Sequence, residues 1–238
     1  LHIDTGMNRL GMTARDLAAL RSDPARLDGA ELSLVMSHLA CGDDSAHEMN
    51  ADQLQSFRAA TETLPGAPAS LSASSGIFLG PEWHFDMVRP GYALYGGNPQ
   101  PATDNPMRPV VTLSARILQC RCIAPSETVG YGATYRAEGA RRIATIFTGY
   151  ADGYLRSLSN RATLRVDGKP VPLVGRVSMD LIGVDITGID GVKAGDWVEL
   201  LGPEHGVDAL AAEAGTIGYE ILTSLGHRHR RVYVGADA

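Results

Sequence analysis

The segment Asp4-Thr5-Gly6-Met7-Asn8-Arg9-Leu10-Gly11 places an arginine between two glycines, just after a short apolar run. Arg9 has the planar fork that clamps a carboxylate, and a parallel α/β barrel presents its reactive groups at such strand ends. A turn with a solvated arginine fits the same residues. His38 closes a second apolar run, residues 32–38. It is either a satisfied core histidine or, beside an Arg or Tyr, a group whose tautomer and charge that neighbour sets. Ser70-Leu71-Ser72-Ala73-Ser74-Ser75-Gly76 is small and hydroxyl-rich, and Arg89-Pro90-Gly91 follows fifteen residues after Ser74. Residues of this kind let backbone N–H groups approach a phosphate. Two ordinary strand-to-helix loops would have the same composition.

Val129-Gly130-Tyr131-Gly132 mounts a tyrosine between glycines. A phenol titrates near about 10 in water, so general-base work needs neighbours that favour the phenolate. The alternative is a turn tyrosine. The stretches carrying Tyr150 and Asp152, and Met179 and Asp180, follow apolar runs and suit loops at the mouth of a site. Cys120-Arg121-Cys122 is not a metal pattern; on a strand both thiols point to one face and pack. His227-Arg228-His229-Arg230-Arg231 reads as a solvated or strand-edge run. No metal site is expected.

The elements that must position these groups follow from periodicity. Thr13 is placed to cap a helix carrying Leu17 and Leu20. Residues 32–38 read as a short buried strand. Asn50 is placed to cap a longer helix, with Gln53 in the capping-box position and Leu54, Phe57 and Leu64 at helical spacing. Short apolar segments recur at 69–72 and at Met87-Val88. Strands alternating with helices predict βα units and a parallel sheet. Pro99, Pro101, Pro106 and Pro109 mark a linker. Beyond it, residues 142–147, 164–166, 171–174 and 197–201 read as strands, Ile182, Val184 and Ile186 alternate, and Asp167-Gly168 is a hairpin turn. Helical patterns return at 208–214 and 219–225. The fold class is therefore α/β plus β: an α/β part over residues 1–106 and a mostly β domain over 107–238.

A chain of 238 residues, 44% hydrophobic and 20% charged, has room for one or two domains with full cores. No apolar run is long enough for a spanning helix, so no membrane partner is expected. A net charge of −6 argues against a nucleic-acid surface. Three cysteines, an odd count, argue against a disulfide framework and for a reducing cytoplasm.

Taken in order, DTGMNRLGM, SLSASSG, HFDMVRPGYALYG, VGYGATY, GYADGYLRSLSN and VGRVSMDLIGVDIT, continued by Gly218-Tyr219-Glu220, resemble the alanine racemase family. These are pyridoxal 5′-phosphate enzymes of fold type III. The resemblance covers nearly the whole chain but only about the last two-thirds of a typical member. It implies the C-terminal part of a TIM-type α/β barrel followed by a β domain, acting on L- and D-alanine by a two-base mechanism. It implies that Tyr131 is the base on the L-alanine side, and that Arg9 and the Met179 N–H bind the substrate. Arg89 would face the pyridine nitrogen. Ser74, Gly91, Tyr92 and Tyr219 would hold the phosphate, Gly91 and Tyr92 through backbone N–H. His38 would stand behind Tyr131, in a chain with Arg89 that stabilises the phenolate, while Tyr150 lines the access corridor and Asp180 is a further supporting residue. The implied assembly is a homodimer, with Tyr131 and Met179 acting on the partner's cofactor.

Two departures follow. The family's second base is a lysine that also holds the cofactor. The sequence has only Lys169 and Lys193, both in the β domain and outside the matching motifs. The lysine is therefore expected on a separate N-terminal segment, and this chain alone is expected to be inactive. His2 stands where many members have a carbamylated lysine that orients the substrate-side arginine, so Arg9 needs another acceptor or stays unheld. The alternatives are a racemase of another small amino acid such as serine, or an inactive cofactor-binding remnant. A fold-type III decarboxylase would place a carboxylate, not Arg89, against the pyridine nitrogen.

Overall fold

The computed structural model describes residues 1–64 and 66–235, and the chain divides into two compact units, Leu1–Met107 and Arg108–Ala238. The first contains α1 (Ala14–Ser22), β1 (Val35–Met36), α2 (Glu48–Thr61), β2 (Ala69–Ser70) and α3 (Ser74–Ile77). Helix α1 starts at a capping box: the Thr13 hydroxyl accepts from Asp16 N, and the Asp16 carboxylate accepts from Thr13 N. Leu17 and Leu20 are buried on its inner face.

Helix α2 corrects the expected cap. Its N-cap is His47, whose Nδ1 accepts from Met49 N at 3.2 Å. Asn50 lies in the first turn and donates from Nδ2 to Cys41 O and Asp44 O, fastening the preceding loop. Gln53 makes no capping box; it is buried. The helix ends at Thr61, so Leu64 lies beyond it and reaches the same core from the following loop.

The strands are short but consecutive. β1 and β2 pair in parallel, with Val35 opposite Ala69, and single parallel bridges add His2 beside Met36 and Arg89 beside Ala73. Met87-Val88 forms no strand; the ladder continues instead through Arg89 N donating to Ser72 O. Four segments thus lie side by side with their C-terminal ends together. Behind them Ile3, Val35, Leu71 and Phe57 form the core, the Phe57 ring edge-on to Phe85 at 4.9 Å.

The second unit is built on a closed antiparallel barrel. Its strands are β3 (Leu113–Ile123), β6 (Arg141–Ile146), β7 (Thr163–Val166), β8 (Lys169–Val174), β9 (Ile182–Asp185) and β10 (Trp197–Leu201), in the order β10-β3-β6-β9-β8-β7. A small ribbon of β4 (Thr128–Val129) and β5 (Tyr135–Arg136) stands apart from that sheet. Helices α4 (Val207–Ala214) and α5 (Gly218–Ser224) follow. Inward residues alternate, as at Ile182 and Val184 or Val198 and Leu200, and closure removes every sheet edge. Asp167 and Gly168 both take positive φ, the turn that matches hairpin twist, and Lys169 begins β8 opposite Val166 rather than lying in the turn. A register shift in β3 lies between Ile117 and Gln119. Beyond it Cys120 and Cys122 are in continuous register and share one face as expected, but only Cys120 is half-buried; Cys122, near the strand's end, is exposed and does not pack.

Among the described residues no helix is long and apolar enough to cross a membrane, and no group of His, Cys, Asp and Glu is placed to hold a metal.

Two measurements test this packing. Phe57→Ala is expected to cost about 3–5 kcal/mol in denaturant unfolding; an unchanged midpoint contradicts the core assignment. Gly153 has φ +93°, and a Cβ there would lie 1.9 Å from Ser224 O at the end of α5. Gly153→Ala is expected to cost about 2–4 kcal/mol from overpacking and left-handed backbone together; a neutral substitution would show that α5 does not seat on this loop.

Candidate active site

At the C-terminal ends of the first unit's strands Arg89 gathers backbone carbonyls: Ser37 O and Leu71 O, which no strand N–H meets among the described residues, and Ser70 O, which also accepts from Ser37 N at 3.1 Å. Its Nη1 donates to Ser70 O at 3.0 Å and Ser70 Oγ at 2.6 Å. Its Nη2 donates to Ser37 O at 2.7 Å and Leu71 O at 3.3 Å, and meets His38 Nδ1 at 3.3 Å. Burial lowers the Arg89 pKa, yet a guanidinium stays charged at neutral pH. Having no acceptor of its own, it forces His38 Nδ1 to accept, which leaves the proton on Nε2. Burial first, then the charges of Arg89, Arg9 and His2, hold His38 below its ordinary value, so the ring is neutral near pH 7. The Arg89 Nε–H makes no hydrogen bond among the described residues.

Gln53 supports this group from behind. Its amide donates to His38 O and Thr5 Oγ1 and accepts from Ala40 N. A helix residue assigned to capping thus ties α2 to two strand-end loops. No local signal distinguishes the two roles.

Ser74 is fully buried, and its hydroxyl accepts from Gly91 N at 2.9 Å and Ala93 N at 3.2 Å. With both lone pairs taken, its own hydrogen remains to donate. The Gly91 N–H is thus directed at Ser74. Beside Gly91 the space is open: a Cβ there would meet nothing within 4 Å. The buried Tyr92 ring lies against Gly97, where a Cβ would come within 2.1 Å of it.

Arg9 is delivered by a turn. The Asp4 carboxylate accepts from Gly6 N and Asn8 N, and these bonds hold it below the usual carboxylate range. Gly11 passes so close to Asp4 that a Cβ would lie 2.7 Å from its nitrogen. Arg9 itself is exposed and makes no hydrogen bond or ion pair among the described residues. Burial, with Arg89 and Arg9 nearby, lowers the His2 pKa, so His2 is neutral near pH 7 and does not take the place of an anionic carbamate.

The second unit gathers a different set. Tyr131 lies in a 3-10 turn, Tyr131–Ala133, between Gly130 at φ 75° and Gly132 at φ 73°, with 72% of its surface exposed. Gly130 lies against Arg176, where a Cβ would be 3.3 Å from the backbone nitrogen. Asn160 spans the two loops: Nδ2 donates to Thr134 Oγ1 at 3.0 Å, and Oδ1 accepts from Gly175 N at 2.5 Å. Tyr150 N donates to Ser178 O and Ala151 N to Met179 O, both at 3.0 Å. This contact needs Gly149, since a Cβ there would lie 2.3 Å from both carbonyl oxygens. The Met179 N–H makes no hydrogen bond among the described residues. Tyr219, on α5, is partly exposed.

The basic run is not simply solvated, nor is it a strand edge. Arg228 Nη2 pairs with Asp180 at 2.6 Å and Arg228 Nε with Asp152 at 3.2 Å, while His229 Nε2 lies 2.8 Å from Asp152 O. The bond to Asp180 first, then Asp152, raises the Arg228 pKa. Both acceptors are far away in sequence, so spacing could not reveal them.

Residues 1–99 match the family model "Alanine racemase, N-terminal domain", and residues 110–233 match "Alanine racemase, C-terminal domain". An alanine racemase of Acidiphilium cryptum is 55% identical over 98% of this chain and 65% of its own. One of Rhodospirillum rubrum is 53% identical over 99% of this chain and 63% of its own. The chain therefore spans just under two-thirds of the length of these relatives. Among solved structures, alanine racemase from Bartonella henselae with covalently bound pyridoxal phosphate superposes with a TM-score of 0.92 at 42% identity, over 98% of this chain and 66% of that one. The N-terminal-domain match begins at residue 1 and lends no support to the expectation that the chain alone is inactive. By these matches, the chain belongs to the alanine racemase family.

Proposed function

We propose that the assembled protein interconverts L- and D-alanine with pyridoxal 5′-phosphate as cofactor. The observation that carries this reading is Arg89. A half-buried guanidinium is locked by strand-end carbonyls with one N–H left over. That is a donor suited to a neutral pyridine nitrogen and unable to protonate it. The Ser74 hydroxyl and the open space at Gly91 suit a phosphate, with Tyr92 and Tyr219 as its further contacts. When bound, the cofactor supplies the electron sink that makes an amino-acid Cα–H acidic.

The chain's own groups do the rest. Arg9 and the Met179 N–H bind the alanine carboxylate. Tyr131 takes the Cα proton on the L face and returns one there, held by a turn that projects its ring. His38, neutral with its Nε2–H available, donates toward the phenolate, and Tyr150 lines the access corridor. Asp180 supports the Met179 loop through Arg228. The base for the D face is a lysine supplied from outside these 238 residues. We assign residues 1–106 to a TIM-type barrel that binds the cofactor and 107–238 to the β domain that brings Tyr131. The working form is a cytoplasmic homodimer, in which Tyr131 and Met179 serve the partner's site.

In the holoenzyme, Tyr131→Phe is expected to cut racemisation in both directions by about 10²–10⁴-fold, as removal of a general base does. A rate within twofold of wild type, followed by polarimetry, would end its assignment as the base. Ser74→Ala removes an acceptor for two N–H groups and the donor left over. Cofactor affinity, followed by fluorescence titration, is expected to fall about tenfold or more, in keeping with the 1–3 kcal/mol a lost buried partner costs. Unchanged affinity would take Ser74 out of the phosphate site.

A further inference from the structure

The loop carrying Tyr150 and the loop carrying Met179 are joined by two backbone hydrogen bonds, from Tyr150 N and Ala151 N. Both loops also carry a carboxylate. Asp152 is buried, with Oδ2 accepting from Gly149 N at 2.9 Å, which leaves Oδ1 facing outward. Asp180 directly follows Met179, so anchoring its side chain holds the turn in which the Ser178–Met179 peptide carries the Met179 N–H and gives Ser178 O to Tyr150 N. Left alone, the two like charges would push the loops apart. Arg228 lies between them, Nε on Asp152 and Nη2 on Asp180, and one guanidinium serves both through its fork. Its own segment is held in turn, by Gly226 N donating to Asp152 O and by His229 at the same oxygen. Three stretches of chain thus meet at one cation, and the Met179 N–H, one residue before Asp180, makes no hydrogen bond among the described residues.

We propose that Arg228 is a positioning residue for substrate binding. By anchoring Asp180 it holds the Ser178–Met179 peptide so that the Met179 N–H is presented to the substrate carboxylate, and it neutralises two carboxylates that would repel that anion. The inference rests on the reading of Met179 as the carboxylate contact. Arg228 is exposed and Asp180 only half-buried, so their pair does little for global stability, and Asp152 keeps the Gly149 N–H when the cation is removed, so the effect is on binding more than on folding.

The test is Arg228→Ala and Arg228→Lys in the holoenzyme. For Arg228→Ala the KM for alanine is expected to rise about five- to tenfold, with kcat changed less than twofold and the melting temperature kept. Arg228→Lys keeps the charge but loses the fork, and is expected to recover KM only in part. Hydrogen exchange followed by mass spectrometry is the readout that needs no activity. Amides of residues 149–152 are expected to exchange faster in Arg228→Ala, while barrel strands stay protected. An unchanged KM overturns the proposal, as does a fall in kcat and melting temperature together, or unchanged loop exchange. A wild-type protein that does not racemise alanine overturns the underlying reading instead, and leaves the exchange result to judge the clamp.

Discussion

A charge removed halfway from water is costly unless acceptors replace the water it loses. Arg89 finds them at the C-terminal strand ends of a parallel sheet, where the carbonyls of Ser37 and Leu71 have no further strand to meet and Ser70 O has a lone pair to spare beside its bond from Ser37 N. The arrangement solves two problems at once. The strand ends are satisfied, and the guanidinium is immobilised. From that follow the tautomer of His38, the direction of the remaining Nε–H, and the exclusion of a second cation from the same spot. Ser74 follows the same logic on a smaller scale. A buried hydroxyl gathers the N–H groups of Gly91 and Ala93, and in doing so commits its own hydrogen outward.

The second unit solves a different problem. A closed barrel is rigid, but the residues of chemical interest lie on loops outside it. They are held by close backbone approach, which needs glycine at Gly149, Gly153 and Gly175, and by side chains that each reach two loops, Asn160 and Arg228. Rigid elements with cross-tied loops leave the exposed Tyr131 phenol and the unbonded Met179 N–H on held loops, which is how a reacting group is kept in position.

The pattern of hydrophobic residues was enough to read five of the six barrel strands, β6 to β10, because residues such as Ile182, Val184 and Ile186 alternate with the period of the pleat. It was enough for α1, because Thr13 and Asp16 form a reciprocal cap. It failed at α2, where Asn50 and Gln53 have capping chemistry but use it on other partners. It failed also at β3, the longest barrel strand, which it did not reveal over Leu113–Ile123 because the register shift between Ile117 and Gln119 breaks its alternation. The candidate site was legible as motifs. What was not legible was any bond between distant segments, above all Gln53 to His38 and Arg228 to Asp152 and Asp180, since spacing in sequence carries no record of them.

The central claim is that Arg89 donates to, and does not protonate, the nitrogen of a bound pyridine. Nitrogen-15 NMR of the holoenzyme reconstituted with ring-labelled pyridoxal phosphate tests it directly. The expected result is a shift typical of a neutral, hydrogen-bonded pyridine, moved downfield when Arg89→Leu removes the donor. A pyridinium shift in the wild-type protein would contradict the account.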